Sequence, residues 1–436
     1  MLRMVLVFVL IGVGVVVSVQ GPFPALLFYL WNAYFRPESW TYGGFVQSLK
    51  LSYLIGVYLV VRTALTLPDP QLNLRTGLIF LFAVQAVIGT VTTENPEWSH
   101  PFISDFGKVL LISYLLVVLL DDRKKFRIAL LVIALSLGIE CAKQGWANLF
   151  RAPGARNDNP IPFLGDNNGV ALGTMMLMPL FGALAQTATR RWEKQAHRFI
   201  GVGVFLRGIS TYSRGGFLAA GVLGVFSLLR SEKKVRTLVV VGAGALLVWS
   251  LMPARYWARM DTITVEEEEQ RDLSAAGRLH FWSVAVDMAR AKPFTGVGLN
   301  GFTSAYPSYN TDPRFGGQRA AHSTWFGVLA DLGYPGLILF VSNLLLAVYS
   351  CWRVSKWSRG DPALRDLRIY ANALITSMAV FAVAGTFLSS QYNEMLWHFV
   401  GLSAALHGIA LRERAAATVP ARVPQIGFQP VTPART

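Results

Sequence analysis

Along the chain, apolar residues come in runs of about 17 to 25, the length that carries a helix through the hydrocarbon core of a bilayer. The runs predict spans near 47–66, 76–93, 105–120, 126–149, 167–186, 198–212, 214–230, 237–252, 335–352, 367–388 and 393–411. A soluble enzyme would show apolar positions at amphipathic spacing between polar faces, so the pattern predicts an all-α polytopic membrane protein. The opening MLRMVLVFVLIGVGVVV resembles a signal peptide, yet no small-x-small cleavage site follows and GPFPALLFYLWNAYF continues the apolar character. Residues 4–34 are therefore read as one retained crossing, kinked at GPFP by its prolines. The total is about 12 transmembrane helices with both termini on the inner side. Segment 198–212 is short and contains Arg207, which predicts a tilted or re-entrant pair with its neighbour.

Charge orients these spans. The 436 residues carry a formal net charge of +15, a value that raises the question of nucleic acid. The distribution answers against it. Lys and Arg cluster in DDRKKFR (121–127), RRWEKQAHR (190–198), RSEKKVR (230–236), RVSKWSRGDPALRDLR (353–368) and the tail RERAAATVPAR (412–422), each beside a span, as in cytoplasmic loops. The connections 35–44, 93–105, 150–167, 253–334 and 389–393 then lie outside. The expected organisation is N-terminal transmembrane helices over 1–252, a periplasmic loop with short helices over 253–334, C-terminal transmembrane helices over 335–411 and a disordered cytoplasmic tail over 412–436. A loop as long as 253–334 is more than a connection and is expected to carry function. Cys141 and Cys351 fall in or beside spans without partner spacing and read as buried thiols.

Ionisable groups at a membrane face need a reason. Arg214, in TYSRGGFLAAG, opens a span with glycines behind it that let a ligand or another backbone approach; the bland alternative is an arginine snorkelling to the interface. Arg278 opens an amphipathic stretch whose expected apolar face is Leu279, Trp282, Val286 and Ala289; the alternative is a solvated helix-end arginine. His322 precedes Ser323, the expected N-cap of a helix running to Leu332. A neutral imidazole near arginines has a lowered proton affinity and suits a base, against the alternative of a hydrogen-bonded interfacial histidine. Asp166, Asn167 and Asn168 stand at the head of a span, where capping is the expected role.

Other signals carry less. GVGLNG (296–301) matches G-x-G-x-x-G but lacks the preceding strand and following acidic residue of a dinucleotide site, and is read as a turn. EEEE (266–269) lacks the alternation of a calcium loop and reads as a solvated face. His280 and His322 have no zinc-ligand spacing, so neither metal nor cofactor is expected.

Taken together and in order, STYSRGGFLAAG, DLSAAGRLHFWSVAVDMARAKPFTGVGLNGF and AAHSTWFGVLADLGYPGLILF resemble the bacterial O-antigen ligase family of membrane glycosyltransferases. The N-terminal FYLWNAYFRPESWTYG resembles the branch of exosortase-associated O-glycosylation ligases. The resemblance implies a twelve-helix inner-membrane enzyme with its site facing the periplasm. It would transfer a glycan from undecaprenyl diphosphate to a sugar hydroxyl of the lipid A-core oligosaccharide, with inversion, among membrane lipids. It maps diphosphate binding onto Arg214 and Arg278, and activation of the acceptor onto His322. An O-antigen or exopolysaccharide polymerase and a ligase acting on protein remain open. A lipid-linked glycan flippase, expected to carry charges through its spans, fits less well.

Overall fold

The computed structural model describes residues 2–41, 44–66, 68–150, 159–251 and 273–418. Among these the regular structure is helical: α1 Leu2–Ser18, α2 Pro22–Phe35, α3 Phe45–Ser48, α4 Leu51–Thr66, α5 Leu74–Val91, α6 Pro96–Leu119, α7 Arg123–Asn148, α8 Asn167–Thr187, α9 Arg191–Ile209, α10 Arg214–Arg230 and α11 Lys234–Leu251, then α12 Leu273–Ala291, α13 Phe302–Tyr309, α14 Thr324–Trp357, α15 Arg365–Ala384 and α16 Glu394–Thr418. Seven helical segments, Phe45–Thr66, Leu74–Val91, Pro96–Leu119, Asn167–Thr187, Thr324–Trp357, Pro362–Phe387 and Glu394–Ala416, are long and apolar enough to cross a bilayer. The protein is a multi-pass membrane protein of the all-α class. The helices that centre the bundle are apolar all round because neighbours cover them: α16 is 83% buried over its apolar window, against 17% for Phe45–Thr66. On α1 and α11, Leu6, Phe8, Val239 and Trp249 lie exposed, as side chains facing lipid do.

The two sets of loops collect at opposite ends. At the basic end Arg123 pairs with Glu413 and donates to the Ala363 carbonyl, Arg127 pairs with Glu193, and Arg368 with Glu232. Those contacts join all five basic segments. At the other end Arg36 pairs with Glu394 at 3.4 Å, the Tyr34 ring packs 4.5 Å from Phe163, and the Ser99 hydroxyl donates to the Leu299 carbonyl at 2.8 Å. Residues 412–418, expected in the tail, continue α16 to Thr418; residues 419–436, like EEEE (266–269), lie outside the described residues.

Residues 4–34 correct the expectation of one kinked crossing. The chain turns back at Gly21 so that a Cβ on Gly14 would sit 2.1 Å from the Phe28 ring. Phe8 lies 6.5 Å from Phe45, while the Tyr58 hydroxyl donates to the Ser18 carbonyl and Lys125 sits over Phe23. The physical reason is that Pro22 and Pro24 occupy the first turn of α2, where the missing N–H groups have no helical partner to lose. GPFP starts a helix instead of bending one. The start of α1 therefore lies at the end opposite the basic loops.

Of the tilted or re-entrant pair expected at 198–212, the re-entrant form is corrected. α9 is one continuous helix packed so tightly on α7 that a Cβ on Gly145 would lie 1.8 Å from the Gly203 carbonyl. Arg207, 0% exposed, donates Nε–H to Gln144 Oε1 at 2.9 Å and a terminal N–H to the Asn159 carbonyl at 2.7 Å. A buried guanidinium is tolerated because its hydrogen bonds are replaced.

Around α14 the loop segment and the bundle become one structure. The helix is interrupted at Gly333 (φ 67°, ψ −169°), and Pro335 lacks the N–H that would reach the Asp331 carbonyl. The segment Pro293–Phe302 supplies what the break removes. Val297 N–H donates to the Ala330 carbonyl at 2.9 Å, Gly298 N–H to the Asp331 carbonyl at 3.1 Å, and Tyr334 N–H to the Pro293 carbonyl at 2.9 Å. Gln85 on α5 donates to the carbonyls of Leu332 and Phe294 at 2.9 and 2.8 Å. This exchange leaves irregular backbone satisfied inside the protein. GVGLNG is thus a turn, shaped for docking: a Cβ on Gly296 would come within 2.4 Å of the Ala330 carbonyl oxygen.

Candidate functional site

Three helix starts meet at the end opposite the basic loops. Asp166 caps α8, accepting from Gly169 N–H at 2.8 Å, as expected. Ser213 caps α10, accepting from Gly216 N–H at 3.2 Å and donating to Asn168 Oδ1 at 2.8 Å. That bond ties the two helix starts together. Arg214 is the first residue of α10, and a Cβ on Gly216 would meet the Ala171 side chain at 2.6 Å, so the glycines serve close helix approach. Ser323 caps α14 by position, but its hydroxyl makes no capping bond and is fully buried. Each pair of site residues is introduced by a left-handed backbone: Tyr212 (φ 55°) before Ser213–Arg214, and His322 itself (φ 48°) before Ser323. Such conformations are uncommon for non-glycine residues and persist where the surroundings impose them.

His322 is half-buried, 6.0 Å from the Phe281 ring. Among the described residues neither ring nitrogen has a hydrogen-bond partner, in contrast to His280, whose Nε2 lies 2.7 Å from Asn310 Oδ1. Burial and the positive charges of Arg278 and Arg319 push its proton affinity below the ordinary histidine value, with Asp166 acting in the opposite sense. The shift favours the neutral form of the ring.

Arg278 reaches this neighbourhood through α12. The helix begins at Leu273, so Arg278 lies inside it and does not open it. The expected apolar face is also rotated. Of the four expected residues Leu279 is exposed, Trp282 and Val286 are half-buried and Ala289 is buried, whereas Phe281, Val284, Ala285 and Met288 are buried with Phe302, Tyr306 and Phe315. Two apolar stripes of equal spacing run along this helix, and the aromatic pocket from α13 and the following turn selects the second. Trp282 sits at its edge and donates Nε1–H to the Ala321 carbonyl at 3.1 Å while stacking on Phe326 at 5.1 Å. One helical turn separates Trp282 from Arg278, so this bond fixes the arginine relative to the residue before His322.

Residues 199–341 match the family described as O-antigen ligase. Over those residues the chain is similar to the O-antigen ligases. Arg214, Arg278 and His322 all lie within this region, as does the loop stitched into α14. Residues 1–179 match a family of unknown function (DUF5935). No curated protein matches the chain. The bond from Ser213 to Asn168 crosses from the ligase-like region into this N-terminal region, so the helix starts at the site draw on both.

Two features of this region were missed in the sequence. Asp331, fully buried on α14, accepts from Phe302 N–H at 2.8 Å, from the Tyr392 hydroxyl at 2.9 Å and from Gln391 Nε2 at 3.2 Å. A lone carboxylate in an apolar run was the available signal. The Trp282 bond to a backbone carbonyl had none.

Proposed function

We propose that this protein transfers a glycan from undecaprenyl diphosphate to a sugar hydroxyl of the lipid A-core oligosaccharide, on the periplasmic face of the bacterial inner membrane. The carrying observation is that a neutral, half-exposed His322 is held by Trp282 beside the helix bearing Arg278, at the end where α8, α10 and α14 begin. Helix starts and guanidinium groups both favour phosphate oxygens. Arg214 and Arg278 would neutralise the departing diphosphate by bidentate contacts, with no metal in the step. His322 would take the acceptor's hydroxyl proton as that oxygen attacks the anomeric carbon opposite the diphosphate, giving inversion. The test is to incubate purified protein with carrier-linked glycan and either rough lipopolysaccharide or a candidate glycoprotein. Transfer to lipopolysaccharide is expected; transfer to protein alone would move the acceptor to the branch that the N-terminal sequence resembles, and elongation of carrier-linked glycan would make the protein a polymerase.

The positive-inside rule puts the basic end in the cytoplasm and the ligase site in the periplasm. Cys141 and Cys351 are both buried, so single reporter cysteines read cleanly. A membrane-impermeant thiol reagent is expected to label Ser308→Cys, at an exposed position, in cells with an intact inner membrane, and to reach Gln20→Cys, at the hairpin turn, only once that membrane is opened. The opposite pattern would invert the topology.

Trp282→Phe keeps the stacked ring but deletes the bond to the Ala321 carbonyl. Turnover is expected to fall roughly tenfold, the scale of one hydrogen bond. As Arg278 loosens, the acid limb of the pH profile should move to higher pH; an unmoved limb would leave Trp282 a packing residue only.

A further inference from the structure

Where α14 reaches the basic end, Tyr349, Trp352, Arg353, Lys356 and Trp357 follow one another at steps of three and four and so share one face. Rings and cations on that face are interleaved. The Arg353 guanidinium lies 4.5 Å over the Trp357 ring and 5.7 Å over the Tyr349 ring, and donates to the Tyr349 hydroxyl at 2.9 Å. The Lys356 ammonium lies 5.2 Å over Trp352. From α16, Arg414 comes 4.7 Å from the same Trp357 ring, so the two guanidinium carbons are at most about 9 Å apart. Arg75, at the start of α5, donates to the Ser350 hydroxyl at 2.6 Å, one helical turn before Arg353.

Like charges this close repel, as Arg353 and Lys356 do at a spacing of three on one helix. Elsewhere at the same end Arg123, Arg127 and Arg368 are matched by Glu413, Glu193 and Glu232, but among the described residues no carboxylate pairs with Arg75, Arg353, Lys356 or Arg414. Residues 419–436, which follow α16, contain no Asp or Glu. Tyrosine and tryptophan at a bilayer interface are ordinary anchors; anchoring does not call for unmatched cations gathered on them. The same helix also offers an apolar stripe. Ile338 is 64% exposed, Leu345 63% and Trp352 42%, each seven residues after the last, so the stripe runs along the outside of the bundle into the cations.

We propose that this face of α14 binds an anionic phospholipid carrying two phosphates, with its acyl chains along Ile338, Leu345 and Trp352 and its phosphates among Arg75, Arg353, Lys356 and Arg414. Basic pockets between membrane helices take such headgroups. Four unmatched cations exceed the single charge of one phosphodiester, which selects a lipid with two. A soluble phosphate compound would meet the cations but leave the apolar stripe unused. None of these residues belongs to the site of Arg214, Arg278 and His322, so the lipid site stands or falls apart from the ligase reading.

The test uses the full-length purified protein in a non-ionic detergent, with native mass spectrometry after addition of cardiolipin, phosphatidylglycerol or phosphatidylcholine. The wild type is expected to hold cardiolipin about tenfold more tightly than either single-phosphate lipid, and excess inorganic phosphate should not displace it. Arg353→Gln combined with Arg414→Gln should weaken cardiolipin binding by roughly tenfold or more. Lys233→Gln combined with Arg236→Gln removes two exposed charges from the same end, beside the start of α11, and should leave binding unchanged. Trp357→Leu keeps every charge but removes the ring that both arginines share, so it should also weaken binding; if it folds poorly, the paired arginine variant still decides. Equal retention of phosphatidylglycerol, displacement by phosphate, wild-type affinity in the Arg353 and Arg414 pair, or an equal loss in the Lys233 and Arg236 pair would overturn the site.

Discussion

Replacing His322 with alanine is expected to lower turnover by roughly 10² to 10⁴, the usual contribution of a general base, while donor binding is retained. The imidazole is half-buried and close to Arg278 and Arg319, which destabilise its protonated form. The neutral base therefore persists to lower pH than an ordinary histidine, whose pKa is about 6.5. Activity should be level through neutrality and fall only in more acidic solution, as the ring gains the proton that blocks it from accepting another. Bound diphosphate brings negative charge and moves that limb back up, so the profile of kcat should lie to higher pH than that of kcat/KM. A donor complex that forms normally in His322→Ala, with transfer abolished, is the decisive combination. Loss of donor binding in both His322→Ala and His322→Gln, with the residual profile unchanged, would make His322 a diphosphate ligand.

Arg278 and Arg214 should show the next largest losses, and Arg278 two separable ones. Arg278→Ala removes a fork for the diphosphate, and removing one preorganised donor of this kind costs roughly 10² to 10³ in rate. It also removes positive charge from the vicinity of His322, so the acid limb should move to higher pH. Arg278→Lys keeps the charge and loses the planar fork; it should retain the wild-type limb while rescuing transfer poorly. Arg214 stands at the first position of α10 and does not figure among the charges acting on His322, so Arg214→Ala should weaken donor use without shifting the limb. Wild-type turnover in both lysine variants would reduce these residues to interface cations.

Much of this was legible in the sequence because lipid imposes simple rules. Apolar runs located α4, α5, α7, α8, α10, α11 and α15 to within a few residues, whereas α6, α9 and α14 start seven or more residues before the expected spans and α16 ends seven after; the clustering of Lys and Arg sorted the loops into the two sets that the structure gathers at opposite ends. Gly, Ser and the charged residues flanking helix starts marked Arg214 and His322 as candidates, and the structure sets both at helix starts. The failures have a common cause. Whether GPFP kinks a helix or starts one depends on what lies beside it, and Gly14 against Phe28 is a tertiary fact. The stripe of α12 that is buried was undetermined because two stripes were available and a distant aromatic pocket chose. Asp331 was overlooked because its donors come from residues 302, 391 and 392, brought together only by the fold.

The stitched break in α14 bears on how such proteins can be recombined. Residues 330–334 exchange backbone bonds with 293–298, and the Asp331 carboxylate answers to a glutamine and a tyrosine that arrive 60 and 61 residues later. A chimera that imports only the loop from a homologue would present new N–H groups to old carbonyls at Ala330 and Asp331, about two helical turns beyond His322. The segment that can be grafted intact is larger: the loop, the first half of α14 as far as Pro335, and the pair Gln391–Tyr392. Swaps that respect this boundary should keep the histidine's pose and exchange glycan preference; swaps that cut at Ser323 should yield protein that inserts into the membrane and transfers nothing.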